Sequence, residues 1–194
     1  MHPLLKQSIE KYTQQHLSSD CEARFNDLIF EKNFEKKSFL VEEGNPCKYI
    51  YFILEGSCYS FLSDAKGDAH VVQFALDGYW ISDLYSFYSG KNAIYSIETL
   101  EPTKVLMINQ ESFEKACATM PIFERYFRIL IQNAYVSMQY RLAKTSSEEA
   151  ELRYTEFAQK YPDFIQRIPQ YLIASYLGIQ PQSLSRIRKK LASH

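Results

Sequence analysis

The sequence predicts an α+β protein with an antiparallel β-sandwich or barrel in the middle and helices at both ends. Residues 34–110 contain many short runs of β-branched and aromatic residues separated by turn residues. Helical periodicity precedes this segment and returns after it. Of the 194 residues, 46% are hydrophobic and 15% aromatic, which is enough for a well-packed core. A β domain flanked by helices is therefore the expected fold class.

The N-terminal residues 1–32 have a helical pattern. The segment LLKQSIEKYTQQHL is amphipathic, and Ser19 and Glu22 have the spacing of a capping box that begins a second helix. We expect residues 1–32 to be helical and the sheet to follow.

The β segment divides into strands at its glycines and turns. YIYFILEGSCYSFLS is interrupted by Gly56, and Asp64–Asp68 predicts a hairpin turn before the strand HVVQFAL. SIETLEPTKVLMIN predicts two further strands on either side of Glu101-Pro102.

A long helix is predicted after the strands. Glu111–Thr119 forms a short helix, and Pro121 begins one that continues to about Lys144. Apolar and polar residues recur in it at approximately heptad spacing: Ile122, Tyr126, Ile129, Asn133, Val136 and Tyr140. This helix either packs on its own β domain or forms a parallel dimer seam. Both can hold, because the helix is apolar on more than one side, at Phe127, Leu130, Ile131 and Tyr135. We predict a homodimer.

The C-terminal residues predict a helix-turn-helix. Pro169 begins a helix that ends at Leu177, Gly178 provides the turn, and Pro181 begins a second helix whose apolar positions are Leu184, Ile187 and Leu191. Two short helices about a glycine turn, with glutamine, serine and arginine facing outward on the second, suit entry into the DNA major groove. The alternative is a surface helical hairpin with a solvated charged face. The predicted DNA-binding residues are Gln180, Gln182, Ser183, Ser185, Arg186, Arg188, Lys189 and Lys190.

Charge is distributed unevenly along the chain. The whole sequence has 22 basic and 23 acidic residues, but from Glu151 onward there are seven basic and three acidic ones. No carboxylate follows Asp163. A cationic end on an acidic body is the layout expected when one end contacts the phosphates of double-stranded DNA.

Several classes of function are disfavoured. No apolar stretch approaches the length of a membrane span, and the N-terminus lacks a leader's apolar region, so a cytoplasmic protein without a membrane partner is expected. The four cysteines, Cys21, Cys47, Cys58 and Cys117, form no CxxC pair and are expected to be free thiols. The β segment holds only His70 as a histidine, and no hydrolase, phosphate-loop or metalloprotease motif is present. We predict no enzyme activity, no metal and no cofactor.

The order of these parts resembles the Crp/Fnr family of bacterial transcription regulators. The matching segments are FLVEEGNPCKYIYFILEGSCYSFLSD, FALDGYWISDLYSFYSGKNAIYSIETLEPTKVLMI and LIASYLGIQPQSLSRIRKKL. The resemblance implies a cyclic-nucleotide-binding-like β-roll of the jelly-roll type over residues 1–120, a connecting dimerisation helix over 121–145 with a hinge at Thr145–Ser147, and a helix-turn-helix domain over 146–194. It also implies a homodimer on palindromic promoter DNA, a small-molecule effector or redox cue in the β-roll, and RNA polymerase as a partner if the protein activates transcription.

The effector segment departs from the cyclic-AMP-binding pattern. Family members that bind cyclic AMP carry Gly-Glu-Leu and then Arg-Ser-Ala, where this chain has Ser82-Asp83-Leu84 and Asn92-Ala93-Ile94. Without the arginine, the phosphate loses its bidentate partner, although Lys91 could compensate as a point charge. The predicted pocket residues are Trp80, Ser82, Asp83, Leu84, Lys91, Asn92 and Ala93. Another ligand, or filling by the aromatic side chains Tyr79, Trp80, Tyr85, Phe87 and Tyr88, remains open.

Other inputs of the family match no better. An oxygen-sensing cluster needs several N-terminal cysteines, whereas only Cys21 is near, and His2, His16, His70 and the C-terminal histidine do not indicate haem.

The second helix also departs from the family's Arg-Glu-x-x-x-Arg pattern, because Pro181 and Gln182 replace its first two residues. Arg186 is the predicted guanine contact and Gln182 the adenine contact, while Arg188, Lys189 and Lys190 are expected on phosphates. Since His194 follows Leu191 so closely, we expect no β-hairpin wing and a smaller footprint. The rival hypothesis is a binding module whose helix-turn-helix contacts protein instead of DNA.

Overall fold

The structure, a computed structural model, describes residues 1–65 and 67–192. Lys66, in the predicted hairpin turn, and the C-terminal His194 lie outside those residues. Over the described ranges the chain follows the predicted order of helices, β domain and helices. No helix in this part of the chain is both long and apolar enough to cross a membrane.

Two short helices precede the sheet, α1 (Pro3–Thr13) and α2 (Ser19–Asn26). The capping-box prediction is displaced by one residue, because Ser18 is the N-cap and its hydroxyl accepts a hydrogen bond from the Cys21 amide. The prediction of helix up to residue 32 is also wrong. A strand begins at Phe30, where pairing with a distant strand replaces local helical bonds.

The β domain is a roll of two four-stranded antiparallel sheets, as the fold class predicts. Its strands are β1 (Phe30–Phe34), β2 (Phe39–Val41), β3 (Tyr49–Glu55), β4 (Cys58–Ser63), β5 (Ala69–Ala75), β6 (Trp80–Ile81), β7 (Ser96–Thr99) and β8 (Thr103–Asn109). The strand orders are β1-β8-β3-β6 and β2-β7-β4-β5. A short helix, α3 (Leu84–Ser89), connects β6 to β7. Fully buried Phe52, Ile53, Ile97 and Ile108 belong to the core cluster of the roll.

Gly56 separates β3 from β4 for a steric reason. Its φ is +110°, and a Cβ at this position would lie 2.6 Å from the Thr103 hydroxyl and 2.8 Å from the Pro102 carbonyl oxygen. Only glycine fits a turn with this backbone conformation and this close an approach.

The connecting segment consists of α4 (Gln110–Thr119) and α5 (Pro121–Ser147). The first turns of α5 pack on the N-terminal helices, with the Phe123 and Phe25 rings stacked at a centroid distance of 3.9 Å. Thr145–Ser147, where a hinge is predicted, form the last turn of α5. Their hydroxyls donate to the carbonyls four residues earlier, which satisfies them within the helix, and the chain leaves the helix at Glu148.

Four helices complete the described chain: α6 (Ala150–Lys160), α7 (Pro162–Arg167), α8 (Gln170–Leu177) and α9 (Pro181–Ala192). The last two are the predicted helix-turn-helix, with Pro169 as the N-cap of α8 rather than its first residue. Their core includes Phe157, Phe164 and Leu172, and it is continuous with Phe61 and Phe74 on the outer face of the roll. The helical end therefore shares a hydrophobic core with the sheet β4–β5.

Candidate nucleic-acid interface

The turn between α8 and α9 is defined by Gly178. Its φ is +64°, and the amides of Gly178 and Ile179 donate to the carbonyls of Ser175 and Ala174, which closes the end of α8. The buried Ile179 then anchors the start of α9. The predicted glycine stop therefore sets the angle at which α9 leaves the turn.

Helix α9 buries one face and exposes the other. Leu184 and Ile187 are buried, as the spacing predicts, whereas Leu191 is 39% exposed at the end of the helix. Most of the predicted contact residues are exposed: Gln180, Gln182, Ser183, Ser185, Arg186, Lys189 and Lys190, with Arg188 partly buried. The outward face thus combines amide, hydroxyl and guanidinium groups and contains no carboxylate.

Lys190 is held differently from the two arginines. Its ammonium contacts both carboxylate oxygens of Glu151 on α6, at 2.9 and 2.8 Å. Among the described residues, Arg186 and Arg188 form no ion pair. An exposed ion pair of this kind is weak, so Lys190 can leave Glu151 for a phosphate. That exchange breaks an existing ion pair, whereas a phosphate contact by Arg186 or Arg188 would not.

Arg153 is a residue that sequence reasoning overlooked. From α6, its guanidinium donates to the carbonyls of Leu177 (3.1 Å) and Gly178 (3.3 Å), and also to that of Glu148. A cation at the C-terminal end of α8 satisfies carbonyls that the helix leaves free. Arg153 therefore ties the turn of the helix-turn-helix to the end of α5, and a single basic residue on an amphipathic helix gives no sequence signal of this role.

Helix α8 is hydrogen-bonded to the roll through Ser175. Its hydroxyl accepts from the Val71 amide at 3.0 Å and donates to the Ala69 carbonyl at 2.8 Å, both on β5. Beside it, Arg141 of α5 donates to the carbonyls of Val72 and Tyr176, each at 3.3 Å. The helix-turn-helix is thus fixed to both the roll and the long helix.

A second polar contact lies at Arg167, at the end of α7. Its guanidinium donates to Asp77 (2.8 Å), to Glu101 (2.8 Å) and to the Gly56 carbonyl (2.9 Å). The pKa of Glu101 is lowered, first by the hydrogen bond from the Ser57 hydroxyl and then by the Arg167 guanidinium. Paired carboxylates raise the pKa of Arg167, Asp77 more strongly than Glu101. This three-way contact joins the helical end to two loops of the roll.

In the predicted effector segment, the carboxylate of Asp83 accepts hydrogen bonds from nearby backbone amides. Asp83 is fully buried; one oxygen accepts from the Ser86 amide (2.8 Å), and the other accepts from the amides of Ile94 (2.7 Å) and Tyr95 (2.9 Å). Both carboxylate oxygens are therefore occupied in capping α3 and in holding the following loop. Asp83 is not positioned to receive a ribose hydroxyl in this arrangement.

The other predicted pocket residues do not converge on one space. The Trp80 ring packs between Phe52 and Phe127, and its Nε1 donates to the Tyr126 hydroxyl. The Ser82 hydroxyl donates to the Tyr49 carbonyl, and Ala93 is buried. Leu84, Lys91 and Asn92 are exposed. Of the aromatic residues considered as filling, Phe87 is core, whereas Tyr79, Tyr85 and Tyr88 are more than 40% exposed.

Comparison with known proteins agrees with this architecture. Residues 31–120 match the cyclic nucleotide-binding domain family. The transcriptional regulatory protein Btr of Bordetella pertussis is 24% identical over 176 residues, which cover 84% of this chain and 72% of that protein. FixK2 of Bradyrhizobium japonicum superposes with a TM-score of 0.73 at 18% identity, covering 85% of both chains. A protein assigned to the Crp/Fnr family of transcriptional regulators, from Eubacterium rectale, superposes with a TM-score of 0.67 at 12% identity, covering 91% of this chain and 84% of that one.

Residues 31–120 thus resemble a cyclic nucleotide-binding domain, and the described chain is similar in fold to transcriptional regulators of the Crp/Fnr type. Its β-roll, long helix and helical end have the fold of this family. The departures from the family's nucleotide pattern lie at Asp83 and Asn92, as described above.

The long helix α5 exposes only some of the residues of the predicted heptad. Tyr126 is not available for a dimer seam, because it is fully buried and its hydroxyl bonds to Ser8 (2.6 Å) and Trp80 (3.0 Å). Ile122 and Ile129 are partly buried, while Asn133, Val136 and Tyr140 are exposed. Tyr140 also donates to the Glu156 carboxylate.

A different row of apolar residues on α5 is exposed to solvent along its whole length. Ile131, Tyr135, Met138 and Leu142 are spaced by four, three and four residues, and each is between 43% and 66% exposed. We call these four residues the outer stripe. Heptad spacing of this kind places all four on one side of the helix. Ile131 and Tyr135 are predicted to make a second side of the helix apolar, but the seam is predicted on the other side, because residues on two sides of α5 satisfy a seven-residue repeat.

Proposed function

We propose that the chain is a homodimeric DNA-binding regulator that recognises a two-fold symmetric promoter site through α9. The observation that carries this proposal is the outward face of α9, which presents Gln182, Ser185 and Arg186 and has no carboxylate of its own. Such a face suits base edges and phosphates in the major groove. In the bacterial cytoplasm, RNA polymerase is a further partner if the bound protein activates transcription.

The specific base contact is assigned to Arg186. Its exposed guanidinium forms no ion pair within the described chain, so a bidentate contact to guanine breaks no existing bond. Gln182, one helical turn earlier on the same face, is assigned to adenine. Arg188, Lys189 and Lys190 contact phosphates in this proposal, with Lys190 leaving Glu151 to do so.

The dimer is proposed to form along α5. The outer stripe is apolar at all four positions, whereas the predicted heptad includes the buried Tyr126, the polar Asn133 and Tyr140, which is bonded to Glu156. We therefore place the seam on the outer stripe rather than on the predicted residues. Two α9 helices related by two-fold symmetry would then enter successive major grooves, about 10 base pairs apart.

The proposed input to the roll is not cyclic AMP. The carboxylate that would receive the ribose hydroxyl is bonded to three amides, and Asn92 stands where the phosphate-binding arginine is found in relatives that bind this nucleotide. Calorimetric titration with cyclic AMP is expected to give no binding isotherm. Micromolar binding of cyclic AMP would contradict this part of the proposal. If Lys91→Gln then abolished that binding, Lys91 would be identified as the cation that replaces the arginine.

Selection of bound sites from a random duplex pool tests the main proposal. We expect enrichment of a palindromic site and a steep fall in affinity with added salt. Arg186→Ala is expected to cost about 1–3 kcal/mol on the selected site and to relax one base position.

The matched control is Arg125→Ala, an exposed arginine on α5 far along the chain from α9. It removes the same charge and is expected to leave affinity unchanged. Recovery of an unenriched pool, together with affinity that does not depend on salt, would favour the rival binding module whose helices contact protein.

A further inference from the structure

A cleft lies between the end of α5, α6 and α8, and none of the predicted effector residues lines it. Its volume is about 430 Å³, within the range of small-molecule sites. Helix α5 contributes Tyr140, Arg141 and Lys144 to its wall, and α8 contributes Tyr176. Helix α6 adds a further set of lining residues: Arg153, Glu156, Phe157 and Lys160.

The charges of this cleft are unbalanced. Four of its lining residues are cationic, and Glu156 is the carboxylate among them. Lys144 pairs with Glu156 and Glu148, so its charge is compensated. Arg141 and Arg153 instead donate to backbone carbonyls, and over the described ranges neither forms an ion pair. The carbonyls at the C-terminal end of α8 carry only partial negative charges, so the two partly buried guanidinium groups leave a local positive potential.

The same walls present aromatic rings. Phe157 lies between Tyr176 and Tyr161, with ring centroids 5.5 and 5.3 Å away. The Arg141 guanidinium stands 4.5 Å from the Tyr176 ring centroid, and the Lys160 ammonium stands 5.1 Å from that of Tyr161. A planar ligand can therefore contact ring faces while its anionic group reaches a guanidinium.

We propose that this cleft binds a planar organic anion, an aromatic carboxylate or sulfonate of one or two rings. The apolar body would pack on Phe157 and Tyr176, and the anionic group would lie between Arg141 and Lys160. Because α5 and α8 both supply walls, an occupant favours the arrangement of the long helix and helix-turn-helix seen here. That last consequence rests on the proposed DNA-binding function, whereas the binding itself does not.

Binding is tested on the full chain without DNA, using 1-anilinonaphthalene-8-sulfonate as the fluorescent probe. We expect saturable binding at one site per chain. 2-Naphthoate should displace the probe, and the uncharged 2-naphthalenemethanol should not, because the cleft selects the anion. Displacement by both compounds to the same degree would overturn the proposal, as would fluorescence that never saturates.

Two variants test whether the probe binds in the cleft. Arg141→Gln removes the partly buried charge and is expected to weaken binding about tenfold, as for a lost charge-assisted hydrogen bond. Lys160→Gln removes an exposed charge at the rim and is expected to weaken it about threefold. Lys48→Gln is the matched control, since Lys48 is exposed on the roll.

Arg141 also contacts Val72, so the thermal midpoint of each variant is recorded first. If Arg141→Gln proves unfolded, Lys160→Gln decides the matter. Unchanged probe affinity in the folded cleft variants would assign the probe to another surface, such as the outer stripe, and would overturn the proposal.

Discussion

The carboxylate of Asp83 anchors the loop that joins α3 to β7. Three backbone amides donate to it in a fully buried position, and removal of an acceptor from such a site leaves buried donors without partners. The side chain thus contributes to the stability of the roll through short-range bonds that a motif comparison does not reveal.

We expect Asp83→Ala to lower the free energy of unfolding by about 2–4 kcal/mol, since three hydrogen bonds to a buried carboxylate are lost together, one of them the N-cap bond of α3. Urea denaturation measures the change. Asn92→Ala, an exposed substitution in the same segment, is the control and should stay within about 0.5 kcal/mol of the parent. A loss below about 1 kcal/mol in Asp83→Ala would show that water replaces the carboxylate.

The cysteine thiols differ in burial. Burial raises the pKa of the Cys58 thiol far above its ordinary value and that of Cys117 to about 11. Because the thiolate is the reactive form, both should alkylate slowly at pH 8, and Cys58 only after unfolding. Cys21, which is partly exposed, serves as the internal comparison. Mass spectrometry after iodoacetamide treatment follows each site; rapid native labelling of Cys58 would contradict its buried position.

At the scale of elements, α5 performs two structural tasks along its length. Its first turns are buried against the N-terminal helices and the roll, whereas Ile131–Leu142 carries the outer stripe. Burial on one part and exposure on the next explain why a single heptad could not describe the helix.

Glutamate substitution distinguishes the two sides of α5. Met138→Glu with Leu142→Glu should convert the dimer into monomers, because it buries two charges in an apolar seam. Gln132→Glu with Ala143→Glu adds the same charge between the two stripes and should leave the dimer intact. Light scattering after size exclusion gives the mass. Dissociation by Val136→Glu alone, with the outer-stripe variant still dimeric, would place the seam on the originally predicted heptad.

Local sequence signals predicted most elements but not their assembly. The glycine turn and apolar spacing of α8 and α9 lie within about 20 residues, so periodicity was sufficient there. The contacts of Ser175 and Arg167 join residues more than 60 positions apart, and no local pattern records such pairs. The exact end of α5 also escaped prediction, because the hydroxyls of Thr145–Ser147 bond to carbonyls within the helix and extend it to Ser147.

At the scale of the whole molecule, the helical end α6–α9 is attached to the roll by an apolar cluster and by polar contacts. The apolar part includes Phe61 and Phe74 with Phe164, and the polar parts centre on Ser175 and Arg167. Movement of the helical end away from the roll therefore exposes apolar surface and breaks several hydrogen bonds at once. Separation of the helical end from the roll therefore has a free-energy cost.

Arg167→Gln should reduce stability by about 1–2 kcal/mol at pH 7, because two ion pairs and a carbonyl bond are weakened at a partly exposed site. The pKa of Glu101 is lowered by Ser57 and Arg167, with Lys36 also contributing, so its stabilising effect is present above the ordinary value of 4.5 and is lost as the pH falls through the lowered value. Asp77 faces the same guanidinium. The difference in the free energy of unfolding between Arg167→Gln and the parent, measured by urea denaturation, should therefore become smaller below pH 4.5.

Arg125→Gln, on the exposed side of α5, is the control for removal of a positive charge. It should show no such pH-dependent difference. If the difference in the free energy of unfolding between Arg167→Gln and the parent increased on acidification, the Arg167 contacts would not be the cause of the pH dependence of stability.

Strand β5 is the last strand of its sheet, and its outer main-chain groups would otherwise face solvent. Ser175 binds the Val71 amide and the Ala69 carbonyl much as a neighbouring strand would, and Arg141 covers the Val72 carbonyl. Unprotected edges of this kind recruit strands from other molecules. A serine of the helix-turn-helix thus also protects the edge of the roll against self-association, so that loosening of the helical end is expected to promote aggregation as well as to change the orientation of α9.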